Sequence, residues 1–125
     1  MTENEIARIV VNKAFHIHNE LGPGLLESVY EEILNYELVQ DGLFVERQKP
    51  IPVFWKEVKM DVGFRADLIV ERKVLLELKS VESITPLFPE ITINYLKLTK
   101  IKLGLLINFN VPFIKDGIQR IVNNL

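Results

Sequence analysis

Asp67, Glu77 and Lys79 lie in the stretch RADLIVERKVLLELKS, residues 65–80, inside two runs of Leu, Ile and Val where a charged side chain is costly. Side chains alternate faces along a strand, so Glu77 and Lys79 share one face of theirs. In an antiparallel hairpin, opposed residues have a constant index sum. A three-residue connection at Glu71-Arg72-Lys73 therefore opposes Val70 with Val74 and Asp67 with Glu77, whereas a two-residue loop would put the acids on opposite faces. Opposed Cβ atoms stand about 4.5–5.5 Å apart, and two ionised carboxylates there repel by roughly 3 kcal/mol at an effective dielectric near 20. A divalent cation would offset that cost directly. Lys79 would offset part of it and could also orient or deprotonate a water at the metal. The hairpin thus reads as a rigid holder for a metal; the competing reading is a solvated face on which Lys79 bridges the acids. Without metal, one of the two acids is expected to have a raised pKa through repulsion and burial, with Lys79 limiting the rise.

The rest of the composition narrows the chemistry. No cysteine is present, which excludes disulfides, thiolate zinc and cysteine nucleophiles. With His16 and His18 the only imidazoles, a metal site must be built from oxygen and suits hard cations: Mg²⁺, Mn²⁺ or Ca²⁺. The two histidines, two apart on a helix, do not share a face and read as structural or surface residues. No glycine-rich phosphate loop or catalytic serine motif is present. A formal charge of -2 argues against binding nucleic acid by bulk electrostatics alone. Arg47, Lys49, Lys56 and Lys59 form a local basic group that reads either as phosphate contacts or as lysines guarding a sheet edge. Lys97, Lys100 and Lys102 form a second, looser group. Trp55 is expected in core or edge packing.

At 125 residues, 48% apolar and 26% charged, the chain fits one folded domain over 1–125. It lacks a secretory pattern and any apolar run near the roughly 18 residues of a membrane span, so a soluble cytoplasmic protein is expected. Thr2-Glu3-Asn4-Glu5 is a capping box ahead of apolar positions at helical spacing to Leu21. Gly22-Pro23-Gly24 breaks that helix, and Pro23 is expected in the first turn of a second one running to Asp41-Gly42. Strand-like patterning follows from Leu43 to Met60, then at Gly63–Val70 and Val74–Lys79. A helix is expected around Ile91–Leu98, a buried strand at Leu103–Phe109 and a short helix at Gly117–Asn123. This is a mixed α/β, or α+β, arrangement: three antiparallel strands in a meander and one strand returning after a crossover helix.

Asp67, nine further residues, and then Glu77-Leu78-Lys79 resemble the D…ExK signature of the PD-(D/E)XK nuclease superfamily. Gly24-Leu25-Leu26-Glu27-Ser28-Val29-Tyr30 is similar to the pattern of its GxxExxY branch. The resemblance continues through 63–80, 94–99 and 102–109. It implies a restriction-endonuclease-like αβββαβ core and a Mg²⁺ (or Mn²⁺) site with Asp67, Glu77 and the Leu78 carbonyl as ligands. It further implies Lys79 as the catalytic lysine and Glu27 pointing into the same site from the helix. From the residues alone, Glu27 could simply favour the helix dipole, and Tyr30 could hydrogen-bond to a neighbouring group in the site. Members of the branch commonly carry a His and a Gln where this chain has Phe88 and Ile91, neither of which is expected to donate a hydrogen bond or bind a cation.

The leading expectation is a metal-dependent nuclease acting on DNA or RNA, with a homodimer as one assembly open to it and no membrane partner. The alternative is a weakly active or inactive nuclease-fold module that binds nucleic acid or protein.

Overall fold

The computed structural model describes residues 1–125. Helix α1, Glu3–Leu21, starts as the capping box requires: the Thr2 hydroxyl accepts from the Glu5 amide at 3.1 Å, and the Thr2 amide donates to Glu5 Oε1 at 3.0 Å. It ends at Gly22, whose φ of 67° few other residues tolerate. Helix α2, Glu27–Gln40, begins later than Pro23 suggested, so Pro23 lies in the connection and not in the first helical turn. Tyr30 fixes that connection. Its hydroxyl donates to the Gly22 carbonyl at 2.6 Å and accepts from the Leu25 amide at 3.2 Å, and its ring stacks on Phe109 with centroids 4.4 Å apart.

The strands are β1 (Val45–Ile51), β2 (Phe54–Trp55), β3 (Val58–Lys59), β4 (Phe64–Val70), β5 (Val74–Lys79), β6 (Leu103–Asn108) and β7 (Ile118–Val122). Five of them form one sheet in the order β1-β4-β5-β6-β7, while β2 and β3 pair only with each other. The expected meander is β1, β4 and β5, all antiparallel; β6 then joins β5 in parallel after helix α3, Leu87–Thr99. Helix α3 is longer than its sequence suggested because Pro89 falls in its first turn, where a missing amide hydrogen costs no helical bond.

Both faces of the sheet are covered, which is why the central strands read as nearly continuous apolar runs. On one face, α1 and α2 bring Ile6, Val10, Ala14, Leu34 and Leu38 against Leu68, Val70, Leu76, Leu78, Leu105 and Ile107. On the other, Leu96 of α3 packs with Ile69, Leu75, Leu106 and Ile121. Gly104 lets α3 approach, since a Cβ there would stand 3.2 Å from Leu96 and 3.3 Å from Thr92.

The terminal segment corrects one expectation. Residues 118–122 are strand β7, antiparallel to β6, not a helix. Ile118, Ile121 and Val122 satisfy a helical spacing over so short a span, but they are β-branched, and β6 offers an open edge that supplies their backbone partners.

Tyr30→Phe is expected to keep the stacked ring and the far-UV circular dichroism while leaving the Gly22 carbonyl without its hydroxyl donor. Thermal or urea denaturation should show a loss of about 1–2 kcal/mol.

Candidate active site

The hairpin that carries Asp67 and Glu77 has the expected parity. Glu71-Arg72-Lys73 connect β4 to β5, and Val70 faces Val74, Ile69 faces Leu75 and Leu68 faces Leu76. One step further the acids' side chains enter the pattern themselves. The Leu78 amide donates to Asp67 Oδ2 at 2.8 Å, and the Asp67 amide donates to Glu77 Oε1 at 3.4 Å. Each carboxylate is held by the backbone of the opposite strand.

The strands turn at this point. Leu68 and Val70 lie in the core under α1 and α2, but Ala66, which regular alternation would put on the same face, lies in the core under α3. In β1, Val45 packs on the first core and Ile51 belongs to the second. Pairing is kept on either side, Arg47 with Leu68 and Lys49 with Ala66, so β1 and β4 twist together at Gln48 and Asp67. Gln48 has a φ of 50°, a left-handed value that costs a non-glycine residue about 1–2 kcal/mol. Its side chain makes use of the turn: Nε2 donates to Asp67 Oδ1 at 3.3 Å and to Glu31 Oε1 at 2.7 Å.

Glu31 is the site residue that sequence reasoning missed. It is buried, its other oxygen accepts from Arg47 Nε at 2.8 Å, and its charge raises the pKa of both Asp67 and Glu77. The only hint was its place one turn beyond Glu27 on the same helix face. Glu27 itself is exposed, and its Oε1 accepts from the Ser80 amide at 3.3 Å. It stands beside the residue that follows Lys79. Tyr30 serves the loop before α2 and makes no hydrogen bond to these acids.

Lys79 makes no ion pair with either acid. Its ammonium lies 4.9 Å from the centre of the Phe88 ring, so Phe88 does engage a cation, contrary to expectation, through its π face. Tyr95 of α3 completes the surroundings: burial and the charges of Glu77 and Asp67 all raise its hydroxyl pKa. His18 is buried with Nε2 2.8 Å from the Val111 carbonyl, and His16 is exposed; neither approaches the acids as a ligand. Arg47 and Lys49 are tied to Glu31 and Glu46. Trp55 is 65% exposed and packs in neither core.

The model of the PD-(D/E)XK nuclease superfamily matches residues 4–121. The chain belongs to the PD-(D/E)XK nuclease superfamily. No curated protein and no solved structure matches it. Membership agrees with the mixed five-stranded sheet flanked by helices and gives a nuclease-like function as the coarse reading.

Nucleases of this superfamily typically depend on a divalent metal. The donor set here fits a hard cation in kind. Burial first, then the Asp67 charge, push the Glu77 carboxyl up to about 8, against the Asp67 amide and Lys79. Burial also raises Asp67, against the Leu78 amide. Both acids are therefore raised, not one, and burial outweighs repulsion. A bound cation would favour the ionised forms that the protein alone disfavours. No three His, Cys, Asp or Glu side chains converge to hold an ion, so the protein's side-chain donors are this pair. Of Leu78, the structure shows the amide engaged with Asp67.

Unfolded, Glu77 loses its proton near pH 4.5; in the folded, cation-free protein it does so near 8. The folded state holds the extra proton between these values, so its stability is full below the lower value and falls as pH rises through the upper. Urea denaturation in EDTA at pH 6 and pH 9 should show a loss on the order of a few kcal/mol for the wild type. Glu77→Gln should show a much shallower dependence; equal slopes would mean that Glu77 titrates normally.

Proposed function

We propose that the chain is a metal-dependent nuclease of the GxxExxY branch, a single domain over 1–125 that hydrolyses phosphodiester bonds of DNA or RNA in the cytoplasm. The observation that carries this is the crossed pair of Asp67 and Glu77, a half-buried and a buried carboxylate held together at an energetic cost that a cation or a proton relieves. The Gly24-to-Tyr30 stretch supports the branch: Tyr30 shapes the loop and Glu27 is set at the end of β5. No helix is long and apolar enough to cross a membrane.

Mg²⁺ or Mn²⁺ held by Asp67, Glu77 and the Leu78 carbonyl would supply charge neutralisation at the scissile phosphate and acidify water for attack. The protein's own part follows from where its groups stand. Asp67 and Glu77 are fixed by backbone amides, so they need no rearrangement when charge develops. Lys79 follows Glu77 on the same strand face and carries a positive charge toward phosphate oxygens once its side chain leaves the Phe88 ring. Glu27, exposed beside Ser80, can accept a proton from the attacking water at the mouth of the site. Gln48, through Asp67 and Glu31, holds the turn in β1 and β4.

A second reading, a nuclease-fold module with little or no catalysis, is favoured by one observation: Phe88 draws the Lys79 ammonium onto its ring, and Ile91 offers no polar group. The two separate in one experiment. Mg²⁺ or Mn²⁺ is titrated calorimetrically into wild type and Asp67→Ala, with nicking of plasmid and single strands measured alongside. A nuclease binds the cation only with Asp67 present, and its cleavage falls at least about 100-fold in Glu77→Ala and in Lys79→Ala. Cation binding without cleavage, with activity gained in Phe88→His/Ile91→Gln, would support the inactive module. Metal-independent cleavage, or cleavage unchanged in Lys79→Ala, would overturn the assignment of this site.

A further inference from the structure

Between Ile51 and Phe64, which face each other across β1 and β4, the chain leaves the sheet and returns as the β2–β3 hairpin. The return is tight. A Cβ on Gly63 would stand 2.5 Å from the Ile51 carbonyl oxygen. The hairpin contributes no residue to either core. Phe54 is 57%, Trp55 65% and Val58 59% exposed, yet apolar side chains of this size normally have cover. Its ladder has two residue pairs, and Lys56 and Glu57 between them have φ of 49° and 71°. Positive φ at both central residues is the demand of a type I′ turn, which ordinarily takes Asn-Gly. A strained turn on so short a ladder is marginal alone, so this element gains most from a bound partner.

Its position says which partner. Strand β4 begins at Phe64 and β5 ends at Lys79, and the two are antiparallel, so the hairpin springs from the sheet end at which Lys79, Ser80 and Glu27 stand. Phe64 at its base touches Tyr95, with ring centres 4.9 Å apart, and the Tyr95 hydroxyl feels the charges of Glu77 and Asp67. The arm and the acids thus adjoin one another. Aromatic and cationic residues stand together along it: Phe54, Trp55, Lys56 and Lys59. The Lys56 ammonium lies 5.6 Å from the Trp55 ring, and from Phe54 to Arg65 three cations (Lys56, Lys59, Arg65) stand against two acids (Glu57, Asp61).

We infer that the β2–β3 hairpin is the substrate arm of this site and takes single-stranded nucleic acid, with a base stacked on Trp55 and phosphates met by Lys56 and Lys59. Free aromatic faces with flanking cations are what unpaired bases and their backbone require, and every base has a face to stack. A protein partner fits less well, because lysine is depleted from such interfaces and a two-residue edge offers little backbone pairing. The inference rests on the nuclease reading for its choice of ligand, and it names which form of nucleic acid the site receives.

Trp55 is the chain's one tryptophan, so its fluorescence reports the arm directly. Short oligothymidylate, oligouridylate and a matched duplex are titrated in EDTA, following tryptophan emission and the anisotropy of a labelled strand. Single strands should quench Trp55 saturably and more strongly than duplex, with affinity falling as salt rises. Trp55→Ala, with unchanged circular dichroism, should bind the labelled strand about 5- to 150-fold more weakly, the loss of one stacked base. Lys56→Ala/Lys59→Ala should flatten the salt dependence. Because no metal is present, quenching can persist in a protein that never cleaves, and cleavage can occur in one whose tryptophan is silent; the two readings fail separately. Duplex preferred over single strands, equal binding by Trp55→Ala, or a concentration-dependent dimer in sedimentation that Trp55→Ala breaks would each overturn the inference, the last assigning the arm to a second copy.

Discussion

Asp67 and Glu77 are held against one another by crossed bonds, each carboxylate accepting an amide hydrogen from the other's strand. Much of the architecture follows from making that contact possible inside an apolar hairpin. The β4–β5 connection must be odd in length, or Glu77 would face the opposite core. The strands must turn at Asp67 and Gln48, or both would lie in register with Ile69 under α3 and out of reach of Glu31 on α2. Gln48 accepts a left-handed backbone to complete the turn. Its amide then joins Asp67 to Glu31, and Arg47 joins Glu31 to the edge strand. Gln48 is thus the side chain that bonds both Glu31 and Asp67, whose charges raise the Glu77 pKa.

That concentration of negative charge explains why the surroundings are so apolar. Leu68, Leu76, Leu78 and Leu106 are fully or almost fully buried around the acids, and their burial, worth roughly 1.5–3 kcal/mol each, offsets the desolvation of Glu77. A polar surround would hydrate the carboxylates and let both ionise at no cost, and a cation would then gain little by arriving. The apolar strands thus set the protonation of the two acids as well as their geometry. Lys79 does not cancel the charge, because its ammonium is held on the Phe88 ring, at a distance from which it only lowers the two pKa values.

What could be read in the sequence was whatever depends on local periodicity. The opposition of Asp67 and Glu77 came from counting a loop, the first helix from a capping box and the buried strand at Leu103 from an unbroken apolar run. The missed features all depend on what a segment meets in space. Glu31 and Glu32 are adjacent acids on one helix, and only the position of Arg47 and Gln48 on another element makes the first of them part of the site. Residues 118–122 are a strand because β6 has a free edge, which their own spacing does not record. Trp55 was expected in packing because tryptophan usually packs, and the two-residue turn that lifts it away uses Lys and Glu in place of the glycine that would have signalled it.

The parallel pairing of β5 and β6 links these parts. It brings the ends of both strands, Lys79 and Asn108, to one edge of the sheet. There Asn108 bonds both backbone groups of Val81, and the Lys79 carbonyl takes the Phe109 amide at 2.9 Å, so the segment after β5 cannot drift. Phe109 in turn stacks on Tyr30, which shapes the loop that presents Glu27 to Ser80. The same edge receives the start of β4 and therefore the base of the β2–β3 arm. An antiparallel sheet with β6 reversed would have put Asn108 at the far end, leaving Ser80 and Glu27 without that support. The crossover helix α3 makes the parallel pairing possible, and it also carries Phe88 and Tyr95, the two rings that border the acids. The element that gives the sheet its mixed topology is thus the one that closes the site on the side away from α2.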